Sequence, residues 1–360
     1  MTDAAPRIIV IGGGIVGASV TYHLARRGAA VTLIDSNDPQ QGATARSFAW
    51  VNAWSGQTMP YVRLRHHAIG EYHRLQQELG GALPLKWSGT LVWKTAPVDT
   101  EKRVRKLASA GYDVRLVDGG EIARMEPNLK NPPAVAAFAA NEGAAEPVET
   151  TRILLRAARQ AGAEILAPQT VETLVATNGR ISAVRVAGTL LEADIVVVAA
   201  GTGTEALTRE LGVSVPVAAS PAIIARFRTE TPLARSVIIS PTMEIRQVSD
   251  HDLLAAASYI DDSGQNGPNA VANRILSNIE NDFLHARTVR FDNVEVGRRP
   301  IPSDGLPIIG SVKGIDGLYL TVMHSGITLA PAIGLLAAVE ILDGIDVGLL
   351  DICRPDRFAG

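Results

Sequence analysis

The first apolar run of the chain, residues 8–11, is an unbroken row of β-branched side chains. Such a row, with no polar residue at alternate positions, is typical of a strand buried on both faces of a parallel sheet. The segment after it places Val16, Val20 and Leu24 on one face of a helix. Residues 30–34 form a second apolar run. The pattern therefore predicts a strand, a helix and a second strand in direct succession.

In later stretches of the chain the spacing of apolar residues differs. Residues 61–79 predict a long helix with a polar face, and residues 91–93 and 243–248 predict strands. The polar residues 249–252 predict a turn between two hairpin strands. These patterns predict a further helix, further strands and a hairpin beyond the first three elements.

The longest later apolar stretches are residues 195–200 and 329–342. The first is shorter than a bilayer span, and Pro331, Gly334 and Glu340 interrupt the second. We therefore expect no transmembrane segment.

Length, charge and cysteine content narrow the classes further. A chain of 360 residues exceeds the usual size of one hydrophobic core, so we expect two domains. The net charge of -3 argues against a nucleic-acid partner. The single cysteine, Cys353, excludes an internal disulfide and a multi-cysteine metal site. It fits a reducing, cytoplasmic location, and we expect no metal site.

The sequence GGGIVG directly after the first predicted strand fits the pattern G-x-G-x-x-G. In that pattern Gly12 allows a tight turn, Gly14 allows a pyrophosphate to approach the backbone, and Gly17 allows the helix to pack closely on the strand. The first helical residues, Ile15 and Val16, present unpaired N–H groups and a partial positive charge to the diphosphate. The motif therefore predicts a dinucleotide site.

An acidic residue, Asp35, stands at the end of the second predicted strand, followed by Ser36. A carboxylate there accepts hydrogen bonds from ribose hydroxyls and repels the extra phosphate of NADP. A purely structural turn is the alternative, but strand, helix, strand and acid in register favour nucleotide binding. The motif alone does not choose between FAD and NAD.

Four separated segments share a wider pattern. They are residues 12–35, the sequence GATARS at 42–47, residues 162–201 ending in IVVVAAG, and residues 297–331 with GRRP, DGLPIIG and HSGITLAP. In order and spacing they resemble the D-amino-acid oxidase family of flavoenzymes, which includes glycine oxidase and monomeric sarcosine oxidase. The resemblance spans nearly the whole chain and implies FAD as the cofactor.

The resemblance also implies two interleaved domains. A Rossmann-type FAD-binding domain of α/β class would comprise residues 1–85, 142–215 and 290–360. An α+β substrate domain, whose antiparallel sheet roofs the flavin, would comprise residues 86–141 and 216–289.

Further cofactor contacts follow from the resemblance alone. The GATARS loop would wrap the diphosphate, a backbone group would meet adenine, and the start of the last long helix would face the flavin N1 and C2 carbonyl. That helix start would stabilise negative charge on the reduced flavin. Ordinary turns and caps explain the same residues locally. The residues assigned in this way are Thr44, Arg46, Ser47, Val171, Gly201, Gly326, Ile327 and Thr328.

Arg299 matches the family arginine that holds the substrate carboxylate. A guanidinium suits that role because it donates two parallel hydrogen bonds in a fixed fork. A surface ion pair is the alternative, and Arg298 takes the role if the match is shifted by one. Tyr259, at the end of a predicted roof strand, and His324, beside the flavin motif, are further candidates for the catalytic site.

The resemblance implies oxidation of the C–N bond of a small amino acid or N-alkyl amino acid of the glycine, sarcosine or D-amino-acid type. Hydride would pass to flavin N5, and the resulting imine would hydrolyse. No cysteine follows residues 297–302, so we expect non-covalent FAD. The lysine that sarcosine oxidases place over the flavin is missing from residues 252–261, which leaves oxygen and other electron acceptors open.

Three alternatives remain at this point. The chain could be the flavoprotein subunit of a hetero-oligomeric dehydrogenase that passes electrons to a partner subunit. It could be a nucleotide-binding module without catalysis. An NAD-dependent dehydrogenase is the third alternative, but it leaves the second and fourth matching segments unexplained.

Overall fold

The structure is a computed structural model that describes residues 6–38 and 41–358. Its strands, in chain order, are β1 Arg7–Ile11, β2 Ala30–Ile34, β3 Trp50–Val51, β4 Leu85–Lys86, β5 Thr90–Val92, β6 Arg115–Asp118, β7 Val135–Ala139, β8 Gly143–Ala145, β9 Glu164–Leu166, β10 Val171–Thr177, β11 Arg180–Val186, β12 Thr189–Glu192, β13 Ile195–Val198, β14 Val217–Arg228, β15 Val237–Ile239, β16 Glu244–Ser249, β17 Asp252–Ser258, β18 Arg290–Pro302, β19 Ile308–Ser311 and β20 Leu318–Val322.

Helices connect these strands and cover their faces. In chain order they are α1 Ile15–Arg26, α2 Gly42–Ala45, α3 Met59–Glu78, α4 Pro97–Ala108, α5 Gly119–Met125, α6 Pro147–Gln160, α7 Thr204–Thr208, α8 Pro268–Asp282 and α9 Gly326–Asp343.

A six-stranded sheet has the order β19-β20-β13-β1-β2-β9. All neighbours in it are parallel except β19 and β20. Ile8 and Val10 face a core shared with α1, α3, α6 and α9, whereas Ile9 and Ile11 face the small sheet β10-β11-β12. Both faces of β1 are therefore buried, as its unbroken apolar row predicts. The predicted strand, helix and strand are confirmed in β1, α1 and β2.

An eight-stranded sheet has the order β18-β14-β17-β16-β15-β5-β7-β6. The strands predicted at 91–93 and 243–248 are its β5 and β16, and the predicted hairpin turn joins β16 to β17. The sheet is antiparallel, as expected, apart from the parallel pair β5 and β15. These two strands are far apart in the sequence, so no hairpin turn fixes their relative direction. With the six-stranded sheet, this confirms the expected α/β fold with a second, largely antiparallel layer.

One segment lies in a different sheet from the one expected. Residues 290–302, assigned above to the FAD-binding domain, form β18, which pairs with β14 from Val217 opposite Pro302 to Arg228 opposite Arg290. Hydrogen bonding along the whole strand therefore places these residues in the eight-stranded sheet, which is a correction. The other domain boundaries stay a prediction.

Helix α9 begins beside the edge of the parallel sheet and packs on α1 through Gly334. A Cβ atom at Gly334 would overlap the hydroxyl of Ser19 and lie 2.7 Å from Nδ1 of His23. Burial lowers the pKa of His23 to about 4, so its imidazole is neutral in this contact. A glycine is therefore required where the two helices cross.

By length and composition alone, α9 could also cross a membrane, with a mean hydropathy of 1.7 over Gly326–Asp343. More than half of that stretch is buried within the protein, at 56%. A core helix has the same properties, so the expectation of no transmembrane segment stays a prediction.

Gly334→Ala is expected to lower the free energy of unfolding by about 1–3 kcal/mol, because the added methyl group overpacks the contact between α1 and α9. Thermal and urea unfolding would measure the change. Gly70→Ala in α3 is the matched control, since a Cβ at Gly70 meets nothing within 4 Å. It should be neutral or stabilising by up to about 1 kcal/mol. Equal stability of the two variants would contradict the packing role of Gly334.

Candidate active site

A cavity of about 1170 Å³ lies between the two large sheets. Its floor is formed by the carboxyl ends of β1 and β2, the segment after β13 and the start of α9. Its roof is formed by residues of β14, β16, β17 and β18. Ligands of doubly wound proteins bind at this edge of the parallel sheet.

The glycine turn after β1 has the steric properties that the motif predicts. Gly12 has a φ of +109°, and a Cβ there would lie 2.8 Å from the carbonyl carbon of Ala199. A Cβ at Gly17 would overlap the carbonyl oxygen of Gly12. Gly12 and Gly14 line the cavity, while Gly17 lies behind them and brings α1 against the turn.

The start of α1 is held from two sides. Thr44 accepts a hydrogen bond from the backbone N–H of Ile15 at 3.2 Å. Asp35, at the end of β2, accepts hydrogen bonds from the N–H groups of Gly13 and Asn37. Ile15, Val16, Asp35 and the exposed Ser36 all line the cavity.

The other residues assigned to the cofactor also line this cavity. Ser47 accepts a hydrogen bond from the N–H of Ala49 at 3.0 Å, and Arg46 lies 3.4 Å from Glu295 on β18. The loop around α2 is therefore tied to the roof. The remaining members along the cavity wall are Val171 at the start of β10 and Gly201 after β13.

Hydrogen bonds fix the start of α9. The carbonyl of Ile327 accepts from Tyr72 at 2.5 Å, and the hydroxyl of Thr328 donates to the carbonyl of Trp50 at 3.1 Å. Gly326, Ile327 and Thr328 line the cavity together. The positive end of a helix of 18 residues therefore lies at the cavity wall.

Arg299 lines the same cavity from the roof. Its Nη2 donates to the hydroxyl of Ser220 at 3.1 Å and to the carbonyl of Pro221 at 3.2 Å. Its Nε is buried without a partner, and within the described residues no carboxylate lies within 4.0 Å of the guanidinium. Burial lowers the pKa of Arg299, although the charge of Glu244 acts in the opposite direction. The neighbouring Arg298 is exposed, whereas Arg299 is half-buried.

His324 lines the cavity beside Arg299. Although its surface is partly exposed, the surrounding protein and the positive charges of Arg299 and Arg65 lower its pKa to about 4. The imidazole is therefore neutral near pH 7. It adds no charge to this end of the cavity.

Tyr259 is not among the residues that line the cavity, and its part in the catalytic site stays a prediction. Ala256 and Ser258 of β17 pair with the cavity residues Ile224 and Ala222, although Ala257 borders the cavity as well, and side chains alternate along a strand. Tyr259 continues the opposite face, where it packs on the core of the eight-stranded sheet. Its pKa is raised, mainly by a hydrogen bond to Asp262.

Sequence reasoning missed Arg65, a cavity residue on α3 that is only 2% exposed. Its Nε donates to the carbonyl of Asn52 and its Nη2 to the side-chain oxygen of Asn52, both at 2.9 Å. Its Nη1 donates to the hydroxyl of Ser325, the residue before α9. The local pattern predicts only a helix with a polar face, and nothing in it marks this position as buried.

Glu244, the first residue of β16, was missed as well and lines the roof of the cavity. Its signal in the sequence is weak, consisting of Glu244 and Arg246 two positions apart within the predicted strand 243–248. Among residues 6–38 and 41–358, no group of three His, Cys, Asp or Glu side chains could hold a metal ion.

The family described as FAD dependent oxidoreductase (DAO) matches residues 7–339. The chain belongs to this family. The cofactor of this DAO-family oxidoreductase is therefore FAD, and the cavity fits it. The glycine turn leaves room for a diphosphate, Asp35 lies at the end of β2, and the start of α9 lines the same cavity.

Relatives align with this DAO-family chain over almost its whole length. A glycine oxidase of Bacillus licheniformis is 24% identical over 343 residues, which is 93% of this chain and 92% of that relative. The crystal structure of glycine oxidase from Geobacillus kaustophilus has a TM-score of 0.88 at 22% identity, covering 99% of this chain and 100% of that one. L-proline dehydrogenase from P. horikoshii has a TM-score of 0.89 at 19% identity, covering 99% and 98%. These structures share the fold of this oxidoreductase.

Gly17→Ala is expected to lower FAD retention by at least about tenfold, because its methyl group pushes α1 away from the glycine turn and its N–H groups away from the diphosphate. The ratio of flavin to protein absorbance after dialysis, and the dissociation constant of added FAD, would measure the loss. Gly70→Ala, with open space around its Cβ, is the control and should retain FAD normally. Normal FAD retention by Gly17→Ala would refute the assignment of this turn to the diphosphate.

Proposed function

We propose that this protein oxidises the C–N bond of a small amino acid or N-alkyl amino acid of the glycine, sarcosine or D-amino-acid type. The observation that carries the proposal is the half-buried guanidinium of Arg299. It lines the FAD cavity with an unpaired Nε and without a carboxylate partner among the described residues. An unpaired guanidinium in a partly closed site favours an anionic ligand, and a substrate carboxylate fits its fork of donors.

The chain itself positions the substrate. In the proposal Arg299 holds the carboxylate, and the small side chains of Ala222, Ala256 and Ser258 leave room beneath the roof sheet. The neutral His324 lines the same end of the cavity. FAD supplies the two-electron oxidant that takes hydride from the substrate carbon through its N5, leaving an imine that water hydrolyses.

The names of the relatives support an amino-acid substrate. Two are glycine oxidases and one is an L-proline dehydrogenase, and each of these names refers to an amino acid. They include both oxidases and a dehydrogenase, so we propose oxygen or another acceptor for the electrons.

A second candidate function is that of a flavoprotein subunit that passes electrons to a partner. It is favoured by β17, where the roof reads LLAAA at residues 253–257 and carries no lysine. Turnover of the isolated chain with oxygen would argue against it. We also propose non-covalent FAD and a cytoplasmic location, since the single cysteine, Cys353, is buried and does not line the cavity.

Absorbance spectra of the purified protein, before and after anaerobic addition of an amine, test the proposal. Glycine, sarcosine, D-alanine, D-proline and L-proline are the first substrates to try. Bleaching of the flavin bands by one of them supports amino-acid oxidation and identifies a substrate. A flavin that none of a broad set of amino acids and N-methyl amino acids reduces would overturn it.

Arg299→Gln is expected to raise the KM for the amino acid roughly a hundredfold, because two charge-assisted hydrogen bonds to the carboxylate are lost. Steady-state kinetics would measure KM and kcat separately. The matched control is Arg298→Gln, on the exposed neighbour, with an expected change in KM of less than about threefold. A large rise in KM for Arg298→Gln, with little change for Arg299→Gln, would show that Arg298 binds the carboxylate.

A further inference from the structure

Glu244 occupies a position on the roof that faces the cavity. It pairs with Ala256 of β17, and Ala256 pairs with Ile224 of β14. Directly paired residues point to the same face of a sheet. All three line the cavity, so the row Glu244, Ala256 and Ile224 faces it.

Arg299 projects from the same face. It pairs with Ser220 of β14, which lies four positions before Ile224 in the same strand. The pairing of β14 with β18 is regular between Ser220 and Ile224. Residues at even spacing share a face. Glu244 and Arg299 therefore both face the cavity, yet no nitrogen of Arg299 lies within 4.0 Å of a Glu244 oxygen. The two opposite charges are separate groups on one wall.

Several other charged groups on this face are paired, whereas Arg226 of β14, in the same row as Arg246, has no charged partner within 4.0 Å in the described residues. Arg246, two positions beyond Glu244, donates to the carbonyl of Phe48 at 2.7 Å and to the carboxylate of Glu146 at 2.8 Å. Arg46 and Glu295 pair with each other across the loop and β18. Glu244, by contrast, has no side-chain hydrogen bond or ion pair within the described part of the chain.

The environment of Glu244 suits a group that takes up a proton. Although Glu244 is exposed at the cavity surface, the surrounding protein raises its pKa, and the positive charges of Arg299 and Lys94 act in the opposite direction. His324 is neutral near pH 7 and adds no charge at this end of the cavity. A carboxylate with a raised pKa is a stronger base than a free one.

We propose that Glu244 binds the α-ammonium group of the substrate and accepts a proton from it while Arg299 holds the substrate carboxylate. This inference rests on the proposed function, because it assigns a role to Glu244 in the same site. A cation and an anion that face one cavity without pairing provide one partner for each charge of a zwitterion. The substrate class is thereby narrowed to α-amino acids whose nitrogen carries a removable proton, primary or secondary.

The proton and electron balance is simple. The ammonium N–H bond breaks, its proton passes to the carboxylate of Glu244, and the nitrogen keeps the electron pair. When the substrate C–H bond later gives hydride to FAD, that nitrogen pair forms the C=N bond. Glu244 therefore prepares the amine and takes no part in the transfer of electrons.

Binding is tested with a pair of ligands that cannot be oxidised. α-Aminoisobutyrate has no α-hydrogen, and pivalate has the same shape with a methyl group in place of the ammonium. FAD-loaded wild-type protein should bind α-aminoisobutyrate about tenfold to a hundredfold more tightly than pivalate. Glu244→Gln should bind the two about equally, whereas Arg299→Gln should weaken both. Isothermal titration calorimetry would give the six dissociation constants.

Glu230→Gln is the matched control, because Glu230 is exposed beyond the end of β14 and does not line the cavity. It should keep the wild-type preference, and Glu244→Asp should restore part of it. An equal affinity of the wild-type protein for both ligands, or an unchanged preference in Glu244→Gln, would overturn the proposal.

The role as a base is tested by the pH dependence of anaerobic flavin reduction between about pH 6 and about pH 10. In Glu244→Gln only substrate that is already neutral can react, so the rate should rise about tenfold per pH unit up to the pKa of the free ammonium. The wild-type rate should level off at lower pH. Coinciding profiles would remove the base role. If no amino acid reduces the flavin while the ligand preference still depends on Glu244, the proposed oxidation fails and the binding role stands.

Discussion

The close packing of α1 on the glycine turn and on α9 is the contact on which the site depends. Both helices begin at the carboxyl edge of the parallel sheet, where their free N–H groups and partial positive charges meet the same cavity. Two glycines set this arrangement. Gly17 lets α1 lie against the carbonyl of Gly12, and Gly334 lets α9 lie against Ser19 and His23. A side chain at either glycine would move a helix start away from the cofactor.

A second constraint is the anchoring of α9 from the side of the long helix α3. Tyr72 and Arg65 of α3 hydrogen-bond to Ile327 and Ser325, at the start of α9. Arg65 brings a positive charge into the interior beside the helix end. Burying a charge costs several kcal/mol unless hydrogen bonds compensate, and here Asn52 and Ser325 supply them. The protein thus collects positive potential at the end of the cavity where α9 begins.

The roof carries charged residues with charged partners and charged residues without them. Arg246 and the pair of Arg46 and Glu295 join the roof to the loop beneath it. Arg299 and Glu244 have no charged partner within 4.0 Å in the described residues and face the cavity. Charges left without partners in a partly closed site lower stability until a ligand of opposite charge arrives. This cost explains why such groups lie where a ligand binds rather than in the core.

The sequence by itself determined the features that depend on local sterics and period. The apolar row of β1, the glycine turn and the end of β2 at Asp35 follow from neighbouring residues, because backbone approach and strand burial are local requirements. Only the tertiary structure decided which sheet holds residues 290–302, since that depends on pairing with the distant β14. It also decided that Tyr259 faces the other core, because the face depends on strand register, and a shift of one residue reverses it. Arg65 and Glu244 became visible only in three dimensions, because a buried or uncommitted charge is defined by the partners that distant segments bring to it.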